Sequence, residues 1–221
     1  MDFEKARYNM VEQQIRPWEV LDLTLLEVLS DIPRERFVLP DQLEIAYAEL
    51  ALPLKNGSTM LEPKIVARLI QSLELNPQKH VLEIGTGSGY ATAILSKLAK
   101  EVDTLDKDQE QLDFAKNVLD ELGLNNIQYY AQNGLNQTTY QEIGNLYDAI
   151  YVGGAVYSIP TFLLNTLKPN GKLIAIVGET PIMQATIYHK NGTDITRKSL
   201  FETNVHYLEE NSNTFSGKFL F

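Results

Sequence analysis

Gly85, Gly87 and Gly89 stand at alternate positions in VLEIGTGSGY, residues 81–90. Glycines so spaced, between a short apolar run and a helical pattern, let the backbone turn tightly and let a ligand approach it closely. The helix that follows offers free N–H groups at its start. A phosphate-binding loop would carry Gly-Lys-Ser/Thr at its end, and Gly89-Tyr90-Ala91 lacks the lysine. A nicotinamide-binding loop would read G-x-G-x-x-G, whereas the third glycine here comes one residue early.

Two carboxylates narrow the ligand further. Glu83 lies two positions before Gly85 and can attract a cationic group, directly or through water. Asp106 ends the next apolar run, where a carboxylate can accept both hydroxyl protons of a ribose. A ribose and a sulfonium with an amino group together describe S-adenosylmethionine. NAD enzymes use the same ribose contact, so Asp106 by itself does not discriminate.

The elements that must position these residues follow from periodicity. Strands are expected at 80–84, 102–106, 127–131, 147–152 and 172–177, and helices at 90–98, 108–122 and 160–167. Strands alternating with helices imply parallel βαβ units, hence a doubly wound, Rossmann-like α/β fold. The expected sheet is seven-stranded and mostly parallel, with helices on both faces. Beyond Gly178 the pattern becomes β-like at 185–189, 193–201 and 204–208 around an Asn191-Gly192 turn, an antiparallel finish. In front lies a helical extension. One helix is expected over 3–16, ended at Arg16-Pro17, a second from Asp22 or Thr24 to Leu29, and a third opened by Glu62-Pro63. This divides the chain into a helical and substrate-side segment, 1–78, and a core, 79–221, in one compact unit. Trp18 is expected to pack on the core, His80 to end a strand, and the final NSNTFSGKFLF to be a tail or a docked strand.

Composition excludes several classes. Nineteen lysines and arginines against 29 aspartates and glutamates give a net charge of −10. Binding to nucleic acid or to anionic lipid draws on a basic surface, so neither partner is expected. There is no cysteine and only His80, His189 and His206, scattered, so no metal site is expected. The first eighteen residues are charged and lack an apolar stretch, and no run of about 18 apolar residues occurs. A cytoplasmic enzyme is the expectation. The oligomeric state is open.

From about residue 34 to 180 the chain resembles the protein-L-isoaspartate O-methyltransferase family. RERFVLP is similar to its R-x-x-F-V-P, AYAELALPL to A-Y-x-D-x-x-L-P-I, and NGSTMLEPKIVARL to G-Q-T-I-S-Q-P-x-x-V-A-x-M. YDAIYVGGAVYSIP and LKPNGKLIAIVGE match two further blocks, and the glycine loop follows the family almost residue for residue. The resemblance implies S-adenosylmethionine as cofactor, held by Glu83, Gly85, Thr86, Gly87, Ser88, Gly89, Asp106, Lys107, Asn133 and Gly134. It implies isoaspartyl peptides as substrates, methylated on the α-carboxylate to an ester that collapses to a succinimide. Thr59, Leu61 and Glu62 then fall in the substrate loop. The sequence departs from the family at Leu61 in place of a serine, Glu62 in place of a glutamine, and Gln132-Asn133-Gly134 in place of G-D-G. Leucine cannot hydrogen-bond a carboxylate, and a glutamate beside one repels it unless it points away or is protonated. Two alternatives remain open: the same cofactor with another substrate, and a weak member serving as a binding protein.

Overall fold

The computed structural model describes residues 1–208. A seven-stranded sheet forms the centre, in spatial order β5-β4-β3-β6-β7-β8-β9. Its strands are β3 (His80–Ile84), β4 (Glu101–Asp106), β5 (Ile127–Ala131), β6 (Tyr147–Val156), β7 (Leu167–Glu179), β8 (Ile182–Asn191) and β9 (Asp194–Thr203). The pairs from β5 to β7 are parallel, and β7/β8 and β8/β9 are antiparallel. A separate two-stranded hairpin, β1 (Leu52–Pro53) and β2 (Thr59–Met60), precedes the sheet.

Period-two alternation sorts each parallel strand onto two faces. Val81, Val102, Tyr151 and Ile174 join one apolar cluster; Leu82, Leu105, Ile150 and Leu173 join another. Helices α4 (Tyr90–Leu98) and α5 (Gln109–Glu121) cover the first face, and α6 (Gln137–Ile143) and α7 (Thr161–Asn165) the second. Helices α1 (Phe3–Asn9), α2 (Leu23–Asp31) and α3 (Pro63–Ser72) add to the first face. Met10, Leu29 and Ile65 share its cluster with Val81 and Ile94, so segments 1–78 and 79–208 have a common core.

Several sequence expectations are corrected. The first helix is not one α-helix to residue 16. It ends at Asn9, continues as a π-turn over Met10–Ile15 and a 3-10 turn over Arg16–Trp18, and stops at Glu19 with φ 61°. Met10 and Ile15 are both buried, and their separation of five residues is the hydrogen-bonding step of a π-helix. Trp18 is not in the core; it is 40% exposed, with the Lys64 ammonium 4.1 Å from its ring centroid. Helix α6 has no counterpart in the sequence reading. It is short and buries only Thr139, so no apolar stripe announces it.

The expected strand at 204–208 does not extend the antiparallel finish. Strand β3 pairs with β6 only as far as Ile84↔Val152, while β6 runs on to Val156. The chain after β9 fills the lane thus left beside β6. Ala155 N–H donates to His206 O at 3.0 Å, and Leu208 N–H to Ala155 O at 3.0 Å. The terminal NSNTFSGKFLF lies outside the described residues.

Candidate active site

Strand order reverses between β3 and β6, and an open α/β sheet binds ligands where its order reverses, beyond the carboxyl ends of the strands. A cleft opens there. The loop after β3 forms one wall. Gly85 and Thr86 N–H groups both donate to Leu105 O, at 2.8 and 3.2 Å. Gly85 has φ 88°, a conformation that favours glycine. A Cβ there would also meet Leu208 at 2.7 Å, so the returning chain packs directly on the loop.

Asp106 ties that loop to β4. Its Oδ2 accepts from Gly87 N–H at 2.9 Å and its Oδ1 from Asp108 N–H at 3.0 Å. Gln111 of α5 donates to Gly87 O at 2.8 Å and closes the turn from the other side. Asp106 lines the cleft, and each of its oxygens keeps one lone pair for a further donor.

The β1/β2 hairpin forms the opposite wall, through Leu54, Thr59 and Leu61. Asn56 Oδ1 accepts from Ser58 N–H and Oγ, at 3.1 and 2.6 Å, which makes the Asn56-Gly57 turn. Arg34 holds this wall in place. It is fully buried, donating from Nε to Ala46 O at 2.8 Å and from Nη2 to Leu61 O at 3.1 Å, with the Tyr90 ring 4.7 Å away. Burial lowers its pKa from the usual arginine value. The RERF block is thus a clamp between the AYAEL segment and the Leu61 backbone.

The cleft gathers most of the sequence-derived residues. Thr59, Leu61, Gly85, Gly87, Asp106, Lys107, Asn133 and Gly134 line it. Thr86 and Ser88 line a smaller adjoining cavity below the loop, with Tyr90 and Tyr151. Three residues line neither. Gly89 caps α4 and faces Ala115 of α5. Glu62 turns to Lys64, 3.6 Å away, which also pairs with Glu49. Burial raises the pKa of Glu62 above the ordinary carboxylate value. Glu83 lies under the loop, fully buried, with Oε2 accepting from Thr92 at 2.5 Å and Thr104 at 2.6 Å.

Sequence reasoning missed His206, Tyr207 and Leu208, which line the cleft from the far end of the chain. Tyr207 stacks on Tyr157, centroids 4.3 Å apart, and its hydroxyl donates to Gly178 O at 3.2 Å. No local motif marks this segment. His80 opens β3 at the amino end of the strand, the end away from the cleft, with Nε2 3.2 Å from Asp103.

Gly153 shows how tightly the floor is built. A Cβ there would sit 2.8 Å from Gly85 O and 3.3 Å from Ile84 O, both backbone atoms that cannot rotate away. Gly153→Ala is expected to cost about 1–3 kcal/mol as an overpacking change, read as a lower Tm in thermal unfolding. An unchanged Tm would show that the loop gives way freely.

A doubly wound sheet of this order, with a glycine loop after its first long strand and a carboxylate ending the next, defines a class I S-adenosylmethionine-dependent methyltransferase fold. The solved structures agree. A Plasmodium falciparum protein described as a protein-L-isoaspartate O-methyltransferase, in complex with S-adenosyl-L-homocysteine, superposes with TM-score 0.79 at 21% identity, over 96% of this chain and 100% of its own. The chain belongs, more narrowly, to the protein-L-isoaspartate (D-aspartate) O-methyltransferase family, whose model matches residues 5–213. The match therefore takes in the amino-terminal helices as well as the blocks from 34 to 180. Curated relatives of that name include one from Brucella anthropi, 37% identical over 201 residues, 91% of this chain and 88% of its own. Another, from Picosynechococcus sp., is 40% identical over 192 residues, 86% and 83% respectively.

Proposed function

We propose that this chain methylates the α-carboxylate of isoaspartyl residues in peptides and proteins, with S-adenosylmethionine as donor. The observation that carries this reading is that one cleft joins Gly85, Gly87 and Asp106 to Thr59 and Leu61 of the hairpin. Its glycine floor admits close backbone approach by a ligand. Asp106 would accept from the ribose hydroxyls, while Asn133 and Gly134 would meet the adenine edge. Bound there, the cofactor supplies an electrophilic sulfonium methyl group.

The substrate carboxylate is ionised at neutral pH, its reference pKa being near 4, so no general base is required. What remains for the protein is alignment and exclusion of water. The hairpin wall, fixed by Arg34, and the His206–Leu208 segment enclose the cleft from two sides. Glu62 turns toward Lys64 and away from the cleft, which removes the repulsion that its position in sequence suggested. Among the described residues no helix is long and apolar enough to cross a membrane, and we place the reaction in the cytoplasm.

The test is transfer of a labelled methyl group to an isoaspartyl peptide and to its aspartyl twin. Label on the isoaspartyl peptide alone is the expected result; equal or absent label rejects the repair reading. A second reading, a different and more apolar acceptor, is favoured by one observation. Leu61 is an apolar side chain, 5% exposed, facing both cavities of the site.

A further inference from the structure

Glu83 presents an unusual combination. Its carboxyl group is fully buried on the face of the sheet beneath α4, and no cation pairs with it among the described residues. Oε2 accepts two hydroxyl bonds, from Thr92 and Thr104, and Oε1 has no partner. The Tyr151 hydroxyl, on the strand position paired with Glu83, is also without a partner. Burying an unpaired carboxylate is far costlier than burying the neutral acid.

The bonds continue toward the cleft. Thr104 spends its one proton on Glu83, so the 2.6 Å contact between Thr86 and Thr104 has Thr86 as donor. Thr86 belongs to the glycine loop. A directed chain therefore runs Thr86, Thr104, Glu83, with Thr92 as a side branch from α4.

We propose that Glu83 is a positioning residue, a neutral acid that anchors the loop through Thr104 and Thr86 and never touches the ligand. This rests on the cofactor reading above. It assigns Glu83 a different part from the direct or water-borne contact with a cationic group that its place in the motif suggested. The titratable groups facing it are Asp106 from β4, Tyr129 from β5 and Tyr151 from β6, and none is a cation. Burial raises its pKa to about 8, the two threonine bonds working against that and the Asp106 charge with it.

The sign follows. The folded protein holds this proton up to about pH 8, whereas the unfolded chain releases it near the ordinary value of 4.5. The stability it confers is complete below the ordinary value and is lost as pH rises through about 8. Glu83→Gln keeps the shape and both acceptor bonds but cannot ionise.

Two measurements test this. In thermal unfolding of the free protein from pH 6 to 9, wild type should lose roughly 5–10 °C relative to Glu83→Gln. In calorimetry with S-adenosylhomocysteine at pH 6.5, Glu83→Gln should bind within about threefold of wild type. Thr104→Val should weaken binding about five- to tenfold by cutting the chain, and Thr92→Val, which cuts only the side branch, should stay within about threefold. A loss above about tenfold in folded Glu83→Gln would mean that its charge meets the ligand and would overturn the proposal. Parallel pH profiles for wild type and Glu83→Gln would overturn the neutral state, and equal losses in the two threonine variants would overturn the chain. Absence of binding by folded wild type would instead reject the cofactor reading, on which the proposal stands.

Discussion

Asp106→Ala is expected to weaken S-adenosylhomocysteine binding by at least about a hundredfold in calorimetry. The carboxylate has two tasks at once. It accepts from the Gly87 and Asp108 backbone N–H groups, which sets the loop against β4. It lines the cleft, and each oxygen keeps one lone pair with which a ribose hydroxyl would be received. A hydrogen bond to a charged group contributes about 1.5–3 kcal/mol, and two such bonds lost from the ligand already amount to a hundredfold or more. Asp106→Asn separates the tasks: one side-chain oxygen remains as an acceptor, so an intermediate loss of about tenfold is expected. Unchanged affinity in folded Asp106→Ala would place the ribose elsewhere.

Leu61→Ser is expected to raise kcat/KM on an isoaspartyl peptide by about ten- to hundredfold, the worth of one hydrogen bond to a carboxylate. The backbone at this position does not depend on the side chain, because Arg34 holds Leu61 O. A serine there would present its hydroxyl from an anchored wall. Truncating a buried leucine destabilises by about 2–5 kcal/mol, so the assay belongs well below the Tm of the variant. A gain identifies a repair enzyme that works without this hydrogen bond. No gain, with the variant folded and binding cofactor, points to a different acceptor.

These two residues also show how far the sequence could be read. Asp106 was legible because its task is local: it ends a strand of alternating residues, and the end of that strand is where ligands bind. Leu61 was legible only as a departure from a pattern, and its backbone contact with Arg34, 27 residues away, was not. Glu83 shows the limit most clearly. The alternation of β3 puts it on one face of the sheet. Whether that face meets ligand or core depends on the strands beside it. Register places Thr104 and Tyr151 on either side, and α4 closes over the top.

The sequence by itself determined the parallel α/β core, the glycine loop, the carboxylate ending β4 and the membership in a methyltransferase family. Those signals are short-range, carried by period-two and helical spacing and by glycines between elements. The tertiary structure alone decided that Glu83 lies beneath the loop, that Glu62 turns to Lys64, and that His206–Leu208 returns to wall the cleft. That return needs a vacant lane, which exists only because β6 outruns β3 once the sheet is assembled. No window of sequence holds both strands, so the pairing of Ala155 with Tyr207 has no local trace.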